Sequence, residues 1–129
     1  MRQLVAVLVG GLMGTGLRLL ADILIPHGNT DFPFSTLMVN VLGAFLLGLL
    51  VARFWSAAEP WMKAGLGTGL LGSFTTFSAV MVSVISLSAN SRWLLAVAYL
   101  VLSLVLGFAA AAIGLRVGRV STAIDWVDE

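Results

Sequence analysis

The chain has 129 residues, 60% of them hydrophobic and only 10% charged, with a formal net charge of +1. Its mean hydropathy is +1.06. A water-soluble fold of this size still exposes much of its area, so the composition excludes a soluble globular domain and indicates an integral membrane protein. The chain has no cysteine, which excludes disulfides, thiolate metal sites and cysteine nucleophiles. No cluster of basic residues suits a nucleic acid.

A helix needs about 20 apolar residues to cross the hydrocarbon, and the chain offers four such stretches, at about 4–25, 35–55, 61–88 and 93–116. The expected fold is therefore all-α, one transmembrane domain over 1–116 followed by a polar tail, 117–129, lying at the surface or frayed. The first stretch is long, glycine-rich and without a small-residue cleavage pattern, so it is expected to stay in the mature protein rather than leave as a signal peptide. It ends at Pro26 and the polar run His27 to Asp31. Trp55, Trp61 and Trp93 fall at span ends, where amphipathic rings favour the headgroup region.

The first helix carries Gly10 and Gly14 four apart, the third Gly65 and Gly69, the fourth Ala110 and Gly114. Such pairs put small residues on one face and let backbones approach closely. Four helices of this length do not readily enclose a pathway, so an oligomer is expected. With four spans, Arg2, Arg53, Lys63, Arg116 and Arg119 fall on one side and Arg92 and Arg18 towards the other. The positive-inside rule then places both termini in the cytoplasm.

Catalysis finds no support. His27 is the only histidine and sits in a loop, where it reads as a solvated residue; no carboxylate pair falls mid-membrane, and no nucleophile has a base beside it. The polar residues within the spans are the informative ones. Asn40 lies inside the second helix, where its amide must find partners; it reads either as an interhelical hydrogen bond or as a donor aimed into an anion pathway. Arg18, four residues before Asp22, reads as a snorkelling arginine or as a positive charge at the mouth of a vestibule.

The third span holds Ser73, Thr75, Thr76 and Ser78 around Phe74 and Phe77. A helix interrupted here, mid-membrane, frees carbonyls that suit a hard cation, and its hydroxyls either satisfy the interruption or line an ion track. Beside such a track, the positive ring edge of Phe77 can meet an anion. Tyr99 and Ser103, four apart, share a face of the fourth helix and also need partners.

Three motifs in order, Gly10-Gly11-x-x-Gly14-x-x-x-Arg18, then Phe32-Pro33-x-Ser35-Thr36-Leu37-x-Val39-Asn40-x-x-Gly43, then Gly69-x-x-Gly72-x-x-Thr75-Thr76-Phe77-Ser78, resemble the small bacterial fluoride channels called Fluc or CrcB. The resemblance covers nearly the whole chain. It implies a dual-topology dimer, with antiparallel subunits and two fluoride pathways along the interface. It implies a passive, fluoride-selective channel in the cell membrane that lets cytoplasmic fluoride leave down its gradient. By the same resemblance Asn40 and Phe77 match pore residues, and Thr76, Ser78, Tyr99 and Ser103 the polar track. Arg18 matches a vestibule arginine. The carbonyls of Gly72 and Thr75 match those holding a structural sodium ion on the dimer axis.

The chain departs from the family's Thr-Thr-Phe-Ser-Thr-Phe pattern at Ala79 and Val80, and Ser83 stands where an acidic residue often follows. A homodimer of this chain would lack half its pore phenylalanines and two track hydroxyls. Together with the unequal basic charges, this raises the alternative of one subunit in a heterodimer with a paralogue. A proton-coupled exporter of the small multidrug resistance type is a further alternative, but that family requires a glutamate in the first helix. Glu59 is the first glutamate here. A non-transporting scaffold subunit leaves the polar set at Asn40 and Thr75 to Ser78 without a purpose.

Overall fold

In a computed structural model, residues 1–125 are described except His27 and Asn29, with side chains as far as Arg119. The expectations for His27 and for tail residues 126–129 lie outside the described residues. Among the described residues every regular element is a helix, and four helical stretches are long and apolar enough to cross a membrane: Arg2–Leu24, Phe34–Phe54, Pro60–Ala89 and Trp93–Arg119. Helix α1 is Arg2–Leu24 and α2 is Phe34–Phe54. The third stretch is composite. It starts as α3, Pro60–Lys63, with proline in the first turn where its missing N–H costs nothing. It widens into a π-helix over Ala64–Leu71, tightens to α4, Gly72–Phe74, and resumes as α5, Phe77–Ala89. Helix α6 runs Trp93–Asp125. The polar tail expected from residue 117 therefore starts as a continuation of the last helix.

The eight-residue π segment is unusual, since such turns normally occur singly and often near functional sites. Its sequence, Ala64 to Leu71, alternates glycine with other residues at Gly65, Gly67 and Gly69, so few side chains resist the wider coil. The N–H of Gly72 closes the segment by reaching back to the Gly67 carbonyl.

Two pairs of helices set the architecture: α1 against the π segment, and α2 against α6. Both rest on glycine. A Cβ on Gly10 or Gly14 would run into the backbone of Gly65 and Leu70, and one on Gly69 would stand 2.8 Å from the Val7 carbonyl oxygen. Across the other pair, a Cβ on Gly48 would strike the Ala111 carbonyl and one on Gly114 the Phe45 carbonyl. The glycine pairs read from the sequence thus sit at backbone-to-backbone contacts, where helices gain dispersion without a hydrophobic driving force. Helix α5 leans on α6 through a small core of Leu37, Val80 and Tyr99.

Candidate functional site

Helical backbone geometry stops at two residues of the third stretch. Thr75 (φ −84°, ψ 154°) and Thr76 (φ −157°, ψ 126°) are both extended. Backbone groups here need partners from elsewhere, because hydrocarbon supplies none. Asn40 of α2 provides them. Its Nδ2 donates to the Thr76 carbonyl at 2.9 Å and its Oδ1 accepts from the Thr76 amide at 2.8 Å. The side-chain amide therefore pairs with both the N–H and the C=O of one residue, as a neighbouring strand would. A glycine three residues on, Gly43, makes room: a Cβ there would collide with the Thr75 methyl.

The threonines complete the local fit. Thr75 Oγ1 donates to the Leu71 carbonyl at 2.8 Å, which also accepts the Thr75 amide at 3.0 Å. Thr76 caps α5, its Oγ1 accepting from the Ala79 amide at 3.3 Å, the service a threonine commonly performs before a helix. Ser78 Oγ lies 2.9 Å from the same Thr76 hydroxyl.

These bonds have a consequence for the carbonyls. In a continuous helix the Thr76 amide would close onto Gly72 and the Ala79 amide onto Thr75. Here the first turns to Asn40 and the second to the Thr76 hydroxyl. The carbonyl oxygens of Gly72 and Thr75 are thereby released from their helical donors. Neutral oxygens of this kind suit a hard cation. No group of three or more His, Cys, Asp or Glu residues clusters for a metal among the described residues.

Asn40, Gly72, Thr75, Thr76, Phe77 and Ser103 meet along one groove of about 360 Å3, whose floor includes Gly43, Leu71 and Val80. None of its lining residues is ionisable. An ion in this groove would be met by hydroxyls, amide hydrogens and ring edges rather than by a full charge. Phe77 stands out from the subunit, 63% exposed. Val80, three residues along α5, is 2% exposed at the groove's floor, packed with Leu37 and Tyr99.

Arg18 and Tyr99 do not line that groove. Tyr99 is fully enclosed, its ring edge-on to Phe32 at 5.4 Å. Its hydroxyl faces Ser103, Ser83, Thr36 and Arg18 without a well-formed hydrogen bond to any of them. Arg18 Nη2 donates to Thr36 Oγ1 at 3.3 Å, and Arg18 Nε stands 3.5 Å from Asp22 Oδ2. The candidate residues therefore form two groups, an exposed groove at the extended pair and an internal polar cluster. Ser103 belongs to the groove and also faces Tyr99. Sequence reasoning quoted Thr36 and Gly43 within a motif but gave neither a role. The available signal was their spacing, four before and three after Asn40, which puts all three on one face of α2.

Comparison with known proteins assigns the chain to a family. The family model described as CrcB-like protein, Camphor Resistance (CrcB), matches residues 5–115. A protein of Mycobacterium bovis named Fluoride-specific ion channel FluC 1 is 39% identical over 111 residues, covering 84% of each chain. A Shewanella protein named Fluoride-specific ion channel FluC is 42% identical over 106 residues, 81% of this chain and 86% of its own. A Staphylococcus aureus protein named Fluoride-specific ion channel FluC 1 is 36% identical over 121 residues, 90% of this chain and 96% of its own. With its four apolar helices the chain is a multi-pass membrane protein. It belongs to the CrcB-like family, a family of ion channels rather than enzymes.

Proposed function

We propose that the chain is a subunit of a passive, fluoride-selective channel, with the groove at Asn40, Thr76, Phe77 and Ser103 as part of the ion's route. The observation that carries this reading is the extended Thr75–Thr76 pair. It occurs inside a 30-residue apolar stretch, Pro60–Ala89, and lies beside residues left open on the surface of a single subunit. Irregular backbone at membrane depth is tolerated only against protein or water. A second subunit packed over this face would satisfy that requirement and close the groove into a passage. Relatives named as fluoride-specific channels supply the ion.

Fluoride is a small, strongly hydrated anion that must exchange water for protein donors. Hydroxyls of Thr76 and Ser103, the ring edge of Phe77 and the second Nδ2–H of Asn40 are the groups available along the groove, and Ser78 joins them only through the Thr76 hydroxyl. The route is passive, so fluoride trapped in the cytoplasm leaves down its electrochemical gradient. The released carbonyls of Gly72 and Thr75, doubled by an antiparallel copy, would hold a structural sodium ion that ties the subunits together. Sodium-dependent dimer stability tests that assignment, and a dimer indifferent to sodium removes it.

A second reading keeps the channel but pairs this chain with a paralogue. Its support is the burial of Val80: the position where the family carries a second phenylalanine here fills the subunit's own core and offers no ring to the groove. The unequal distribution of Lys and Arg supports it as well, with termini-inside as the fixed orientation. Fluoride efflux from liposomes tests the channel itself. Fluoride leaving faster than chloride, from vesicles holding this chain or this chain with its paralogue, is expected. Efflux at the protein-free rate in both preparations overturns the proposal. Tags on the C-terminus decide topology: one accessible face means a fixed subunit, two mean dual insertion.

A further inference from the structure

Asp22 is a carboxylate with two partners on two helices. Its Oδ2 faces Arg18 Nε at 3.5 Å within α1, and its Oδ1 accepts a hydrogen bond from Ser35 Oγ of α2 at 2.9 Å. We propose that Asp22 is the positioning residue for Arg18, holding its guanidinium against Thr36 and the first turn of α2. The proposal rests on the reading above that places Arg18 at the mouth of an anion route.

An ion pair at i, i+4 on an exposed helix contributes little, because water screens it and two long side chains must be ordered. This pair differs in three respects. The Arg18 side chain is only 14% exposed, so its charge is largely removed from water, while that of Asp22 is 42% exposed. The other Asp22 oxygen is anchored on Ser35, a fully buried residue. The carboxylate also lies against the start of α2, where the helix dipole favours negative charge. Arg18 in turn reaches across to Thr36, so Asp22, Ser35, Thr36 and Arg18 form a closed link between two helices. Without Asp22, a flexible arginine with one long hydrogen bond to Thr36 has no reason to keep its direction.

Asp22→Asn tests this at near-constant shape, since its amide oxygen still accepts from Ser35. Fluoride efflux is measured for this variant, for Asp22→Glu, for Arg18→Gln and for the pair Asp22→Asn with Arg18→Gln, each first shown to elute like the parent protein. Asp22→Asn is expected to slow efflux about tenfold, Asp22→Glu to recover most of it, and Asp22→Asn to add nothing on the Arg18→Gln background. Equal losses on both backgrounds, or no better rate with glutamate than with asparagine, would overturn the assignment. A second readout is independent of conduction: the Arg18 Nε–H signal in arginine-labelled protein. It is expected to shift with Asp22→Asn and to return with Asp22→Glu, and an unmoved signal refutes the positioning role. A parent chain that moves no fluoride, either alone or with its paralogue, sinks the channel reading and leaves this spectroscopic test standing.

Discussion

The contact between α1 and the π segment and the site at Thr75–Thr76 lie in the same third stretch, yet their backbones are handled in opposite ways. In the first, Gly10, Gly14, Gly65 and Gly69 remove side chains so that two backbones touch. Every peptide there serves its own helix, and the contact is dispersion alone. In the second, the backbone leaves the helix and Asn40 takes up both the amide and the carbonyl of Thr76. The first region tolerates nothing larger than hydrogen at its closest points. The second, apart from Gly43, admits side chains but requires particular donors and acceptors. Shape is the constraint at one and hydrogen-bond chemistry at the other, so different substitutions should break them.

Gly14→Leu should have the largest effect on stability, about 3 kcal/mol or more, because the new side chain meets the rigid Leu70 backbone. Thermal unfolding in detergent measures it. Gly16 lies in the same helix with open space around its Cα, so Gly16→Ala should be neutral or slightly stabilising. Equal damage from both would mean that close approach is not what the glycines provide. Asn40→Ala should cost about 2 kcal/mol, since it leaves the amide and carbonyl of Thr76 without their partner.

Val80→Phe, which restores the family's residue, should cost about 1–3 kcal/mol in this chain because Val80 is enclosed by Leu37 and Tyr99. Unchanged unfolding would show that the ring swings out to the groove, and would weaken the case for a paralogous partner. Phe77→Ile should leave stability within about 0.5 kcal/mol, as expected for an exposed position. It should slow fluoride efflux roughly fivefold by removing the ring edge. An unaltered rate would make Phe77 a packing residue of the subunit interface.

Much of this was legible in the sequence, and the illegible part has a definite cause. Four apolar stretches and their small-residue faces follow from length and spacing, and Gly10, Gly14 and Gly114 sit at backbone contacts as their spacing indicates. Asn40 and the Thr75–Thr76 pair were visible as polar groups in an apolar setting. That they bind each other was not, because 36 residues separate them and only the fold sets their register. The π segment was invisible because hydrophobic patterning does not distinguish a wide coil from an ordinary one. That extra width and the extended pair change the facing of every later residue in the stretch. The outward Phe77 and the inward Val80 therefore could not be assigned from a helical period alone.

In the proposed channel Asn40, holding the amide and carbonyl of Thr76, keeps open a passage for an anion. The most direct test of this role is fluoride efflux from liposomes carrying the Asn40→Asp variant beside the parent protein, after both elute as the same intact species. A carboxylate repels the anion and cannot donate to the Thr76 carbonyl, so the variant is predicted to match protein-free vesicles while the parent empties them. Efflux through Asn40→Asp at the parent's rate would remove Asn40 from the anion's route.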